Sequence, residues 1–248
     1  MRKHINRLSS ASMSWENLAS GVYRKLLNHN EETGERTGLF RFVPEEGASP
    51  PKVCHYHSVY EELFILSGLM TFDQKTWLGE RGYVFHPPYA VHGFNSAVPE
   101  TTVFLARSPA ELDFNFPEDP PELTPYFIDD KVAARPVAYV NPVGEDSWEE
   151  AVDVSGKSIG RTLLLSEDPQ TGESASLLRL HKGVSTKAMP QGYNYCDEGF
   201  VLEGCFSAED GTIWSKGDYW HRHPGKSVPG ILVEKEALVF SVSGARVK

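Results

Sequence analysis

The chain has 248 residues, of which 40% are hydrophobic and 23% are charged, with a formal net charge of -10 at pH 7. This composition is typical of a folded protein and argues against long disordered or low-complexity tracts. The acidic balance argues against a nucleic-acid or anionic-membrane surface, because such surfaces require clustered Lys and Arg.

The N-terminal segment and the cysteines bear on where the protein resides. Residues 1–15 are basic but lack the apolar core of a secretory signal, and no later run approaches the roughly 20 apolar residues of a membrane span. We therefore expect a cytoplasmic protein. The three cysteines, Cys54, Cys196 and Cys205, are odd in number and widely spaced. Neither a disulfide framework nor a thiolate zinc site is expected from them.

Short runs of β-branched and aromatic residues, bounded by Gly, Pro, Asn or Asp, predict strands throughout the chain. In chain order the runs cover residues 38–43, 62–72, 83–88, 101–106, 161–165, 176–180, 198–206, 212–220 and 231–242. Trp15–Leu27 has Ser14 as a candidate helix cap but contains Gly21, so the pattern assigns no helix there. A rhythm of about ten residues per run is typical of an antiparallel sandwich or barrel, and we predict an all-β fold.

An internal repeat divides the chain into two related halves. The segment TGE at 33–35 followed by LFRF at 39–42 recurs as TGE at 171–173 followed by LLRL at 177–180. Likewise EELFILSG at 61–68 aligns with DEGFVLEG at 197–204, and HPPYAVHGF at 86–94 aligns with HPGKSVPGI at 223–231. The repeat predicts a first domain over 1–110 and a second over 148–248, joined by a proline-rich linker over 111–147.

The first half carries a pattern of metal-ligand residues. Side chains two apart on a strand share a face, so His55 and His57 lie in a chelating arrangement. Glu61 begins the next apolar strand, and His92 follows a proline turn that returns the chain to the sheet. Three imidazoles and one carboxylate suit a divalent first-row metal. Cys54 is adjacent to His55, so we expect it to face the opposite way, behind the site.

These residues resemble the two motifs of the cupin superfamily. The first motif matches Gly47, His55, His57, Glu61 and Gly68, and the second matches Pro87 and His92. Its spacing between glutamate and glycine favours Glu61 over Glu62 as the ligand, and Tyr89 occupies a position that is usually glycine. The chain is similar to a bicupin with ChrR-like cupin domains. The resemblance implies two tandem jelly-roll barrels with the metal inside the first.

The second half has lost the ligand pattern. The repeat places Gln191, Tyr193, Asp197 and Pro229 in the four ligand columns. Since Gln and Tyr are poor ligands for divalent iron, manganese or zinc and Pro has no ligand atom, this half is expected to be metal-free. The repeat also sets His223 opposite His86, just before the turn proline, so His221 and His223 are interpreted as surface or supporting residues. One divalent metal ion per chain follows.

Three functions are compatible with this site. The first is a mononuclear non-haem Fe(II) dioxygenase acting on a small enolisable carbonyl or hydroxylated aromatic compound, as the cupin resemblance implies. The second uses Fe, Mn, Ni or Zn as a Lewis acid in an isomerase, lyase or decarboxylase, with Tyr56, Tyr60, Tyr89 or His86 as acid or base. The third is a non-catalytic metal-dependent sensor or binding module. A small-molecule substrate is expected in each enzyme, with no nucleic-acid or membrane partner, and open strand edges favour a homodimer.

Overall fold

The computed structural model describes residues 2–118, 123–141, 147–153 and 155–244. The chain divides into two compact units, the first formed by Met1–Lys3 and Ser14–Pro142 and the second by His4–Met13 and Val143–Lys248. Within the described ranges the structure is strands and three short 3-10 helices, Ser10–Ser12, Pro44–Glu46 and Ile128–Asp130. None of the described helices has the length and apolar character needed to cross a membrane. The predicted all-β class is confirmed.

The strands of the two units follow one another along the chain. In chain order they are β1 Ile5–Ser9, β2 Glu16–Ala19, β3 Val22–His29, β4 Gly34–Phe42, β5 Glu61–Ser67, β6 Met70–Thr71, β7 Trp77–Leu78, β8 Tyr83–His86, β9 Ala90–Val91, β10 Thr102–Ala110, β11 Tyr126–Phe127, β12 Ala138–Val140, β13 Glu149–Val152, β14 Ser158–Glu167, β15 Ser174–Leu180, β16 Asp197–Ala208, β17 Ile213–Ser215, β18 Asp218–Arg222 and β19 Ile231–Ser243. All the pairings between these strands are antiparallel.

The first unit is built on a seven-stranded sheet in the order β12-β8-β5-β10-β4-β3-β2, with the small pairs β11-β9 and β6-β7 beside it. The alternation of β5 sends Leu63 and Ile65 to one face, because neighbouring side chains on a strand point to opposite sides. Both residues belong to the core cluster on that face, whose buried members are Leu63, Ile65, Met70, Phe72, Leu78, Val84, Val98 and Phe104.

The second unit is built on an eight-stranded sheet in the order β1-β18-β16-β19-β15-β14-β13, with β17 paired to β16. Its core cluster contains Leu180, Val201, Phe206, Trp214, Trp220, Val233, Ala237 and Val239. Among the described strands, neither large sheet pairs its first strand with its last, so neither is closed into a barrel by its own hydrogen bonds.

The segment without a helix assignment, Trp15–Leu27, contains the hairpin of β2 and β3. Gly21 lies in the turn with φ of +67°, in the left-handed region that favours glycine. A Cβ atom there would lie 2.4 Å from the carbonyl oxygen of Val43. Gly21 therefore allows a tight hairpin that docks against the neighbouring loop.

The proline-rich segment 111–147 does more than join two domains. Of its residues, 119–122 and 142–146 lie outside the described part. Within the described part, β11 pairs with β9, and β12 pairs with β8 through Tyr139 opposite Val84. At the other end of the chain, β1 pairs with β18, with Ile5 opposite His221, so it belongs to the second unit. Short strands of this kind are held by backbone hydrogen bonds and leave little signature in the sequence.

The two halves share one register around the candidate site. In the first unit Glu61 lies opposite His86 and Phe64 opposite Tyr83. In the second unit Asp197 lies opposite Arg222 and Phe200 opposite Tyr219. Arg222 therefore takes the place of His86, and the expectation that His223 would take it is corrected by one residue. The matching HP dipeptides had shifted the sequence alignment of this turn.

Candidate metal centre

Two backbone segments bring three histidines together in the first unit. His55 and His92 face each other across an isolated antiparallel bridge, in which each N–H donates to the other's carbonyl at 2.9 Å. His57 lies two residues beyond His55. The ring centroids are 4.6 Å apart for His55 and His92, and 5.1 Å apart for both pairs that include His57. All three residues are buried.

Each imidazole is fixed through its Nδ1 atom. The backbone carbonyls that face Nδ1 are those of Val53 for His55, Asp113 for His57 and Ala90 for His92. Because a carbonyl oxygen only accepts, each Nδ1 carries a hydrogen, and Nε2 is the atom of each ring that can bind a metal. Buried polar atoms rarely lack a partner, yet Nε2 of His57 has no hydrogen-bond partner in the described ranges.

The donor set fits a metal ion. One nitrogen from each of His55, His57 and His92 lies within 4.8 Å of the others. Fixing Nδ1 by a carbonyl while Nε2 points to a common centre is the arrangement that metal-binding histidines usually have. A metal held by the three Nε2 atoms would also provide the partner that the buried Nε2 of His57 lacks.

Glu61 forms a second group with His92 and His86. Its Oε2 atom lies 3.5 Å from Nε2 of His92 and 3.0 Å from Nδ1 of His86. The other nitrogen of His86 lies 2.7 Å from the hydroxyl of Tyr139. Because a carboxylate only accepts, His86 donates from Nδ1 to Glu61 and accepts at Nε2 from Tyr139. Tyr139 and His86 therefore orient the Glu61 carboxylate beside the histidines.

Burial sets the protonation states of these groups. Desolvation, followed by the neighbouring imidazole of His92, lowers the pKa of His55 to about 4 and that of His86 to about 3. Both are therefore neutral near pH 7, and for His55 this is the form that a metal ligand requires. For Glu61, burial alone would raise the pKa, but the hydrogen bond that His86 donates, with His92 beside the carboxylate, outweighs burial and holds the pKa well below its usual value. The neutral imidazoles of His55 and His86 are thus combined with an ionised Glu61 carboxylate.

Glu62 faces a different environment from its neighbour. Its carboxylate pairs with the guanidinium groups of Arg107 and Arg135, and it accepts a hydrogen bond from the hydroxyl of Tyr83 at 2.6 Å. Glu62 is 1% exposed. The structure thus places Glu61 with the histidines and Glu62 in a buried ion-pair network, as expected for adjacent side chains on one strand.

The segment after β10 supplies residues that the sequence reasoning missed. The ring of Phe114 lies 4.9 Å from that of His57 and 5.1 Å from that of His55, and Phe116 lies 6.3 Å from His55. Both phenylalanines are exposed, at 49% and 58%. Exposed aromatic rings beside a histidine cluster form an apolar rim at the mouth of the site.

The tyrosines considered as acid or base lie elsewhere. Tyr56 and Tyr89 contact each other with ring centroids 6.4 Å apart, and Nζ of Lys131 lies 4.1 Å from the Tyr89 ring. Tyr60 packs against Phe85 at 5.5 Å. In the described part of the chain, neither Tyr56 nor Tyr89 has a ring contact with the three histidines. Tyr89 adopts φ of +65°, which explains why glycine is usual at this position.

The second unit replaces the ligand pattern by an ion pair. Nη1 of Arg222 donates to Oδ2 of Asp197 at 2.5 Å, and Nε1 of Trp220 donates to the same oxygen at 3.1 Å. His221 is buried and lies opposite Glu198, while the ring of His223 packs near His4. Within the described ranges, the groups of three ligand-type residues lie in the first unit.

A glycine next to His92 gives a direct test of the histidine geometry. Gly93 has φ of +78°, and a Cβ atom there would lie 2.8 Å from Cε1 of His55. We expect Gly93→Ala to displace the His55 ring and weaken metal binding at least about tenfold. Gly211→Ala is the matched control, because Gly211 has φ of +83° but no atom within 4 Å of its added Cβ. Equal metal affinity of the two variants in a chelator competition titration would contradict the assignment of His55.

Comparison with known proteins supports the resemblance of the first half to cupin domains. Residues 6–111 match the family model described as the ChrR cupin-like domain. A search of curated protein sequences gives no match. Residues 6–111 are thus similar to cupin domains, as the motifs of the first half indicated.

Solved structures share this fold at low sequence identity. A protein from Nostoc punctiforme described as a "putative dioxygenase" has a TM-score of 0.78 and 16% identity, covering 99% of this chain and 88% of that chain. Protein Ylba from E. coli has a TM-score of 0.64 and 14% identity, with coverages of 99% and 94%. A mutant of the oxalate decarboxylase OxdC from Bacillus subtilis has a TM-score of 0.53 and 13% identity, with coverages of 97% and 77%. At these identities the likeness shows the fold alone.

Proposed function

We propose that the first unit is a mononuclear metal centre and that the chain is a metal-dependent cupin enzyme. The observation that carries the proposal is the convergence of His55, His57 and His92 with every Nδ1 fixed by a backbone carbonyl. Glu61 is the proposed fourth ligand, since its carboxylate is held within 3.5 Å of Nε2 of His92. We also propose that the two units are tandem jelly-roll barrels, in line with their shared register and the cupin match.

The proposed reaction is oxidation of a small enolisable carbonyl or hydroxylated aromatic compound by dioxygen, with Fe(II) as the metal. Three imidazoles and a carboxylate leave positions open on an octahedral ion for substrate oxygens. A bound ferrous ion would supply Lewis acidity and electron transfer to dioxygen. The apolar rim of Phe114 and Phe116 suits a partly apolar substrate. The likeness in fold to a Nostoc punctiforme protein described as a "putative dioxygenase" agrees with this proposal.

Side chains of the protein would donate and transfer protons at this site. Tyr139 donates to Nε2 of His86, whose Nδ1 donates to Glu61, so a hydrogen-bonded chain reaches the carboxylate. This series of hydrogen bonds favours a second candidate function. In it the metal acts as a Lewis acid for isomerisation, lyase chemistry or decarboxylation, and His86 moves a proton. Manganese, nickel or zinc would serve in that case.

Oxygen consumption separates the two candidates. Protein reconstituted with Fe(II) under anaerobic conditions is mixed with a diketone, a 2-oxo acid or a catechol, first without and then with dioxygen. Substrate-dependent oxygen uptake, lost in His57→Ala, supports the dioxygenase. Turnover without oxygen supports the Lewis-acid enzyme, and binding without turnover across a broad panel would support a metal-dependent sensor.

The number of metal ions bound per chain tests whether only the first unit holds a metal. We expect close to one equivalent per chain, because Asp197 in the second unit is already paired with Arg222. The double variant His221→Ala with His223→Ala should bind the same amount. Elemental analysis of the purified protein after equilibrium dialysis gives this number. Two equivalents, or loss of metal in the double variant, would place a second site in the second unit.

A further inference from the structure

The second unit contains a large cavity that is partly open to solvent. Its volume is about 620 Å³, within the range of about 300–1,000 Å³ that is usual for small-molecule sites. Its lining includes Tyr193, Tyr195, Asp197, Trp214, Trp220 and Arg222. The cavity therefore lies around the position that corresponds to the metal site of the first unit.

Comparison of equivalent positions shows how the wall of this cavity differs from the first core. By strand register, Trp214 lies opposite Phe206 in the second unit, and Leu78 lies opposite Met70 at the equivalent positions of the first unit. Trp220 occupies the position that Val84 has in the first unit. The partner of Trp220 is Gly199, and a Cβ atom on Gly199 would lie 2.1 Å from the Trp220 indole. Glycine therefore makes room for an indole ring that contributes to the cavity wall.

Two buried donors in the wall lack an acceptor. Within the described residues, neither Nε of Arg222 nor Nε1 of Trp214 has a hydrogen-bond partner. Arg222 is 7% exposed and Trp214 is 2% exposed. Buried N–H groups without acceptors carry a free-energy cost that a ligand oxygen would remove. The guanidinium carbon of Arg222 lies 5.7 Å from the centre of the Trp214 ring, so one small group can approach both side chains.

The other lining residues indicate the rest of the ligand. Tyr193 and Tyr195 are stacked with ring centroids 4.8 Å apart, and the rings of Trp214 and Trp220 meet edge to face at 5.2 Å. Aromatic walls favour a planar apolar ring. The charged lining residues are Lys157, Lys187 and Arg222 against Asp153 and Asp197, a balance of one positive charge. This balance favours an anion over a neutral molecule.

We propose that the cavity of the second unit binds a small aromatic carboxylate, whose carboxylate oxygens accept from Nε of Arg222 and Nε1 of Trp214. The aromatic ring lies against the tryptophan and tyrosine side chains. Asp197 holds Nη1 of Arg222 and thereby fixes the guanidinium for this contact. This site is distinct from the proposed metal centre and makes the second unit a binding unit.

Isothermal titration calorimetry on the full chain tests this site. The probes are benzoate, phenylacetate and 1-naphthoate, each compared with the corresponding primary alcohol. Chelator is present and the background is His57→Ala, so that a metal in the first unit does not bind the carboxylates. We expect at least one carboxylate to bind at least about tenfold more tightly than its alcohol. A difference of this size is expected when a hydrogen bond to a charged group is present in the acid and absent in the alcohol.

Two conservative variants locate the binding. Trp214→Phe keeps a ring but removes the donor, and Arg222→Lys keeps the charge but removes Nε, so each should weaken carboxylate binding about tenfold. Trp77→Phe, at an exposed position of the first unit, is the control and should leave binding unchanged. Circular dichroism verifies that each variant is folded. Equal binding of acids and alcohols, no binding of any probe, or unchanged affinity in both folded variants would overturn the proposal.

Discussion

His57→Ala and His92→Ala are each expected to lose most of the bound metal. Removal of a residue that only supports a ligand typically costs about 10–100-fold in metal affinity, so removal of a ligand should cost at least about 100-fold. In the described part of the chain the buried Nε2 atoms of both His57 and His92 have no hydrogen-bond partner, which agrees with a ligand role for each. Metal content after dialysis, measured by elemental analysis, reports the result.

His181→Ala is the control for these two variants, because His181 is exposed and belongs to the second unit. It should retain the full metal content. Circular dichroism and thermal unfolding show whether the histidine variants remain folded, so that loss of metal is distinguished from loss of structure. Full metal retention in both His57→Ala and His92→Ala would show that the ligand assignment is wrong.

Glu61→Gln is expected mainly to weaken metal binding, whereas Glu62→Gln is expected mainly to lower stability. Glu62 is buried between Arg107 and Arg135, and loss of one partner from a buried ion-pair network costs about 3–5 kcal/mol of unfolding free energy. For a chain of this size that is a fall in Tm of roughly 10 °C. Glu61→Gln removes the carboxylate beside His92 and should lower metal affinity at least about tenfold, with a smaller effect on stability.

The pair of variants provides its own control, since the two positions are adjacent and carry the same substitution. Thermal unfolding of the metal-free proteins gives the stability difference, and chelator competition gives the affinity difference. A larger loss of metal affinity in folded Glu62→Gln than in Glu61→Gln would move the proposed ligand by one residue.

The residues that meet at the candidate site were accessible from the sequence because strand geometry is local. A spacing of two residues places His55 and His57 on one face, and the order of the motif selects Glu61 over Glu62. The network around Glu62 was not accessible, because Arg135 comes from a proline-rich segment without a strand pattern. Tyr139 was missed for the same reason, since β12 joins the sheet edge through its backbone.

The strand rhythm and the internal repeat predicted the all-β class, but they did not predict how the chain is partitioned. An alignment by residue identity matched two HP dipeptides and placed His223 opposite His86. The hydrogen-bond register places Arg222 there instead, opposite Asp197. That one-residue difference reverses the direction in which a side chain points. The ion pair that replaces the ligand pattern in the second unit was therefore invisible until the register was known.

The pairing of β1 with β18 has a consequence for biosynthesis. Ile5 lies opposite His221, and Arg7 donates at 2.9 Å to Asp218, a residue that is synthesised 211 positions later. Until β18 has been synthesised, β1 has no strand to pair with in the nascent chain. The second sheet is therefore completed only when both strands have been made, and a β18 edge that β1 has not yet covered is open to pairing with other chains.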